Sequence, residues 1–166
     1  ALVQQVQTEM VSSAITKDDS SPVTVADFAA QALVGHLLEQ TFPDDPLIGE
    51  EDSSVLQTPD EHQTLERITH FVGHYVENAN PESVCEWIDR GAAESGERFW
   101  TLDPIDGTKS FITGKPLFGT LIALAQNGVP ILGLINQPIL SERWAGVAGK
   151  ESTFNGKPAR VRKCKS

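Results

Sequence analysis

The sequence is poor in sulfur and in positive charge. It has two cysteines, Cys85 and Cys164, and one methionine in 166 residues. Two cysteines are too few for a disulfide framework, and their separation has no metal-type spacing. A reducing compartment, cytoplasmic or otherwise intracellular, is the simplest expectation. Lysine and arginine number 13 against 23 acidic residues, for a net charge of −10. That balance argues against a general binder of nucleic-acid polymers or of membrane surfaces. No apolar run approaches the roughly 20 residues of a membrane span. Residues 1–10 show neither a basic head nor a continuous apolar stretch, so no secretory leader is expected. Nucleophile-elbow (G-x-S-x-G), H-E-x-x-H and Walker-type loops are missing. The shortage of basic residues is also uneven. Residues 1–142 carry 6 basic and 22 acidic side chains, whereas 143–166 carry 7 basic and only Glu151. The acidic part suits cations and the basic tail suits phosphate, although charge of either sign is most often solvated surface.

What is present is the composition of a globular domain: 39% hydrophobic residues with 13 glycines and 10 prolines. A chain of this length is one ordinary domain, able to bury about two-thirds of its unfolded surface. Leu2, Val3, Val6, Met10, Val11 and Ala14 recur at helical spacing and predict an amphipathic helix ending near Ile15. Residues 17–22 read as a loop. Thr24 is then expected to cap a second helix whose apolar face holds Phe28, Leu33, Val34, Leu37 and Leu38, with Pro43 to Pro46 ending it. Leu47-Ile48-Gly49 reads as a short buried strand, residues 60–78 and 82–90 as helices, and Phe99 to Leu102 as a strand. After Leu117 the pattern becomes β. Three apolar runs are separated by Asn127-Gly128 and the Pro138 region, and Asn155-Gly156 marks one more turn. Helices followed by an antiparallel meander predict an α+β domain with helices packed on an antiparallel sheet.

The chemistry gathers in acidic segments. In Trp100-Thr101-Leu102-Asp103-Pro104-Ile105-Asp106-Gly107-Thr108, a strand end followed by Pro and Gly turns the backbone sharply, so Asp103 and Asp106 can face one space. Hard cations such as Mg²⁺ need several oxygen ligands, and two carboxylates with the Ile105 carbonyl meet much of that need. Gly107 and Thr108 can present backbone N–H groups at the start of a helical turn, where phosphate is well received. Gly49-Glu50-Glu51 places adjacent carboxylates at a strand end, and Asp27 follows the entry into a helix. Taken singly, these are an acidic turn, two solvated charges and a helix-cap carboxylate.

Together, Ser21-Pro22-Val23-Thr24-Val25-Ala26-Asp27, Gly49-Glu50-Glu51 and Asp103-Pro104-Ile105-Asp106-Gly107-Thr108 resemble the three N-terminal signatures of the inositol monophosphatase superfamily, in order. The resemblance spans essentially the whole chain and implies Mg²⁺-dependent, lithium-sensitive hydrolysis of a phosphate monoester. It implies that Glu50, Asp103 and the Ile105 carbonyl hold a first Mg²⁺, and that Asp103 and Asp106 hold a second. Asp27 and Thr108 would orient and activate the attacking water, with a third, weaker ion near Asp27 and Glu50. Gly107 and Thr108 would bind substrate phosphate; Glu51 and Lys109 would stand just behind or beside the site.

Within that superfamily, residues 17–109 resemble 3′(2′),5′-bisphosphate nucleotidases, through Lys17-Asp18-Asp19-Ser20-Ser21-Pro22, Phe42-Pro43-Asp44-Asp45 and Arg98-Phe99-Trp100-Thr101-Leu102. Residues 109–148 resemble histidinol-phosphate phosphatases instead, through Lys109 to Thr120, Gln137-Pro138 and Glu142-Arg143-Trp144. The expected substrate is therefore a small phosphorylated molecule, first of all 3′-phosphoadenosine 5′-phosphate, with histidinol phosphate or inositol phosphate as alternatives. The superfamily pattern continues into a C-terminal α/β domain that supplies one more metal-binding aspartate and much of the substrate pocket. Residues 1–166 correspond to the N-terminal domain alone. The resemblance thus also implies an incomplete second metal shell, and either self-association, a complementary domain, or a metal-binding half that acts only as a structural or interaction module. His70 and His74, four apart with His62 before them, lack a convincing third ligand and read as solvated helix histidines. Trp87, Trp100 and Trp144 read as core or interface anchors.

Overall fold

The computed structural model describes residues 1–11 and 22–160. The chain opens with α1 (Leu2–Val6), which runs on as a π-helical turn through Val11. The rest of the first expected helix, and the expected loop over 17–21, lie outside the described residues. The long helix α2 (Pro22–Thr41) is already helical at Pro22. Thr24 therefore lies inside its first turn rather than at its cap. A proline fits a first helical position because its φ is preset and the N–H it lacks has no intrahelical partner there.

Strand β1 (Leu47–Ile48) follows, then two 3₁₀ turns and α3 (His62–Gly73). Next comes α4 (Pro81–Asp89), begun by a capping box in which Asn80 accepts from the Ser83 N–H and the Ser83 hydroxyl faces the Asn80 N–H. The remaining elements are β2 (Arg98–Asp106), the short α5 (Thr108–Ile112), β3 (Gly119–Gln126), β4 (Val129–Gln137), β5 (Glu142–Val147), β6 (Thr153–Phe154) and β7 (Lys157–Pro158).

The strands form one seven-stranded sheet in sequence order. From β2 to β7 it is the expected antiparallel meander, and β1 is added to its edge parallel to β2. The turns at Asn127-Gly128 and Asn155-Gly156 have positive φ at both residues, the geometry that matches the twist of paired strands. Strand β2 runs four residues further than Leu102. Pro104 cannot donate a ladder hydrogen bond, and the register shifts between Asp103 and Asp106, so the proline is accommodated in a bulge.

Helices cover one face of this sheet. Leu38 of α2 packs on Leu47, Trp100, Leu102 and Leu124, while Val25, Phe28, Ala29 and Ala32 of the same helix join Ile68, Val72, Val84 and Ile88 in a second, larger core. Trp87 and Trp100 are buried with their ring N–H groups donating to Glu39 and Asp45. Trp144 is 43% exposed and packs on Phe154 on the opposite, open face. Among the described residues no helix is long and apolar enough to cross a membrane.

Candidate active site

The candidate residues come from three elements held at one end of the sheet. Asp27 stands in the first turns of α2. Glu50 and Glu51 follow β1 directly, and Asp103, Ile105 and Asp106 belong to the bulged end of β2. The bulge takes two main-chain carbonyls out of the ladder, and threonine hydroxyls engage both of them. Thr120 of β3 donates to Pro104 O at 2.9 Å, and Thr108 donates to Ile105 O at 3.4 Å. The Ile105 side chain is buried at 3% exposure, and its carbonyl keeps a second lone pair.

Gly107 makes the turn into α5 with φ +94°, in the left-handed region, and a Cβ there would stand 2.8 Å from Leu117 O. Glycine is needed for both reasons. Gly107 O accepts from the N–H groups of Ser110 and Phe111 at 2.8 and 3.1 Å. Phe111 and Phe118 are fully buried edge to face, with centroids 5.1 Å apart. This packing fixes the turn that carries Gly107 and Thr108. The first N–H groups of α5 have no helical acceptor.

The electrostatics tie the acidic residues into one group. Burial, reinforced by the nearby carboxylates of Glu51, Asp103 and Glu50, pushes the Asp27 carboxyl from its ordinary 3.8 up to about 7. Burial and then Glu50 raise Glu51. Burial and then Asp106 raise Asp103, against a lowering hydrogen bond from the Ile105 main chain. Asp103 is thus shared between a group containing Asp27, Glu50 and Glu51 and a pair with Asp106. Among the described residues, none of these five carboxylates has a lysine or arginine in ion-pair contact. Lys109 is exposed at the start of α5.

All the donors are oxygens, the ligand type that suits a hard divalent cation, and a cation would relieve their repulsion. As they stand, no three His, Cys, Asp or Glu side chains among the described residues are close enough to share one ion. Charge acts over several ångströms beyond ligation contact, so the two observations agree on a gathered but open cluster.

Sequence reasoning missed three supports of the site. Gln31, buried inside α2, bonds to the main chain at Glu50 and Glu51. Asp89 of α4 accepts from Ser53 N and Oγ at 2.9 and 2.8 Å. Thr120 of β3 holds the Pro104 carbonyl. Of the rejected candidates, His74 Nδ1 lies 2.8 Å from Gln5 Nε2 and His70 lies edge-on to His74, both exposed.

Beside Asp103, on the face of the sheet opposite α2, a groove of about 510 Å³ is lined by Thr101, Leu121, Ala123, Gly133, Ile135, Trp144 and Gly146 among others. It is mainly apolar and opens to solvent.

The chain has known relatives. The family model for the inositol monophosphatase family matches residues 1–166, and the chain belongs to that family. It is 41% identical over 150 residues to the chloroplastic bifunctional phosphatase IMPL2 of Arabidopsis thaliana, covering 90% of this chain and 33% of that protein. It is 39% identical over 149 residues to the 3′(2′),5′-bisphosphate nucleotidase of Schizosaccharomyces pombe, covering 82% of this chain and 41% of that one. An inositol monophosphatase structure from Zymomonas mobilis superposes with a TM-score of 0.59 at 32% identity, over 98% of this chain and 51% of the other. The chain therefore spans between a third and a half of the length of these proteins.

Proposed function

We propose that this chain is the metal- and phosphate-holding part of a Mg²⁺-dependent phosphomonoesterase, and that its substrate is a small bisphosphate nucleotide losing its 3′(2′)-phosphate. The observation that carries the reading is the acidic cluster itself, with Asp27 brought to about 7 by burial and three carboxylates, next to the glycine turn that opens α5. Similarity to the S. pombe nucleotidase and the nucleotidase-like segments in 17–109 support the choice of substrate.

Glu50, Asp103 and the Ile105 carbonyl would hold one Mg²⁺; Asp103 and Asp106 would hold a second; Asp27 and Glu50 would hold a weaker third. Bound there, the ions supply a lowered pKa for water and neutralise charge on the phosphate and on the leaving alkoxide. With the ions bound, the Asp27 carboxylate would accept a hydrogen bond from the attacking water and, with Thr108, orient and activate it. The Thr108 hydroxyl, whose hydrogen bond to Ile105 O is long at 3.4 Å, would turn to orient that water. The N–H groups of Gly107 and Thr108 steady the phosphoryl oxygens. Glu51 supports the cluster from behind, and Lys109 offers a positive charge to the substrate's phosphate.

The open groove beside Asp103 favours a second reading of how the site works. A face presenting Ile135 at 41% and Trp144 at 43% exposure is built to be covered. We assign it to the part of the relatives' length that this chain does not span, or to a second copy of the chain. Uncovered, the chain is a metal-binding module with little turnover. Phosphate release from 3′-phosphoadenosine 5′-phosphate, histidinol phosphate and inositol phosphate, each with and without Mg²⁺, tests the proposal. Mg²⁺-dependent preference for the first is expected. Preference for either of the others overturns the substrate, and a complete lack of turnover in an associated form of the chain overturns the enzyme reading.

A further inference from the structure

We propose that Gln31 is a positioning residue for the metal ligands: one buried side-chain amide fixes the main chain at Glu50 and Glu51, and through it the directions of both carboxylates. The proposal rests on the metal-site reading above. Gln31 lies four residues after Asp27 on α2, one turn along the same face. It is fully buried at 0% exposure, a place where a polar amide is tolerated only if its hydrogen bonds are made.

A glutamine amide has two N–H donors and two acceptor lone pairs, and here all four are used. Nε2 donates to Glu51 O at 2.7 Å and to Ile88 O at 2.8 Å, while Oε1 accepts from Glu50 N and Glu51 N, each at 3.1 Å. Three of the four bonds go to the two residues that bear the carboxylates, and the fourth ties them to the end of α4.

The surrounding glycines give an independent sign that this amide is a designed fit. A Cβ at Gly49 would collide with Gln31 Oε1, and a Cβ at Gly91 would collide with Gln31 Nε2. The two glycines are joined across the amide by the Gly49 N–H donating to Gly91 O at 2.8 Å. The far end of a glutamine could ordinarily move aside, but this one would forfeit four hydrogen bonds in a space closed to water. Asp89 grips the same segment at Ser53, two residues beyond Glu51. Gln31 is the anchor that acts at the carboxylate-bearing residues themselves. Because Asp27 and Gln31 share one helix, the clamp also sets how far Glu50 and Glu51 stand from Asp27.

A residue that merely stabilised the fold would lower the melting temperature without altering the site. The test therefore reads amide hydrogen exchange at Glu50 and Glu51, together with calorimetric Mg²⁺ affinity, in the full chain. It compares Gln31→Met, Gln31→Glu and a core control, Val84→Ala, which is fully buried in α4. Gln31→Met is expected to speed exchange at the two amides beyond the change seen at other buried amides, and to weaken Mg²⁺ binding by about tenfold or more, the usual cost of losing a group that orients a metal ligand. Gln31→Glu keeps the length and an acceptor but can offer at most one O–H donor where the amide offered two, so it is expected to weaken Mg²⁺ binding too, and it serves alone should Gln31→Met not fold. Val84→Ala is expected to lower the melting temperature and leave Mg²⁺ affinity as it was. Unchanged Mg²⁺ affinity in the Gln31 variants, or an equal loss in Val84→Ala, overturns the proposal. A wild-type chain that takes up no Mg²⁺ overturns the metal reading instead, and unchanged exchange at Glu50 and Glu51 then overturns the clamp as well.

Discussion

Asp27→Asn is the substitution whose effect can be worked out furthest. The native carboxyl has its pKa raised from 3.8 to about 7, so the folded state holds this proton more tightly than the unfolded chain does. The resulting stabilisation is complete below about pH 3.8, declines as pH rises, and is gone above about 7. At face value a shift of this size amounts to about 4 kcal/mol. Part of the group is open to solvent, and screening brings the expected figure to about 2 kcal/mol. Asparagine keeps the shape and never ionises. In chelator at pH 8 the variant should therefore be more stable than the wild type by about 2 kcal/mol, or about 4–8 °C in Tm for a domain of this size. Near pH 4 the two should coincide. Thermal melts from pH 4 to 8.5 check this, and taking the difference between the two proteins cancels the titrating groups that do not interact with Asp27, leaving Asp27 with its neighbours Glu51, Asp103 and Glu50. A difference that does not grow with pH, or a variant less stable than wild type at pH 8 without metal, would refute the reasoning.

Gly107→Ala should be destabilising by about 1–3 kcal/mol, because it combines left-handed backbone with a Cβ 2.8 Å from Leu117 O; urea unfolding measures it, and a neutral result contradicts the geometry described for the α5 turn. The wild-type chain alone should sediment or scatter light as an assembly larger than a monomer, and Trp144→Glu, at an exposed ring packed on Phe154, should return it to monomer. A wild-type monomer counts against the covered-face reading.

The parts of the site that sequence made legible are those whose residue types are demanded locally. Gly107 has to be glycine for a left-handed turn, and the spacing of Glu50 with Glu51, and of Asp103 with Asp106, shows that each pair stands together at a strand end. The meander was legible for the same reason, since Asn127-Gly128 and Asn155-Gly156 are strong turn signals. Pro104 misled in the other direction. A proline reads as the end of a strand, and only the pairing of β2 with β3 reveals the bulge that carries the strand on to Asp106. The parallel pairing of β1 has no sequence signal, because two residues define no period. Gln31 was invisible because a glutamine within an apolar helix face resembles any helix former, and its partners lie 19 to 57 residues away in the chain. Thr24, a threonine with an acidic residue three positions on, imitates a cap, whereas Pro22 is already helical.

In the proposed function the carboxylates from α2, the end of β1 and the β2 bulge serve a common Mg²⁺ site. Calorimetric titration of Mg²⁺ into the chelator-stripped chain tests it most directly, with Asp103→Asn and Asp60→Asn alongside. Asp103 is coupled to Asp27 and to Asp106, whereas Asp60 is exposed on a 3₁₀ turn away from the cluster. Saturable binding is expected at millimolar Mg²⁺ or below, retained in Asp60→Asn and abolished in Asp103→Asn. Binding absent from the wild type, or unaltered by Asp103→Asn, would contradict it.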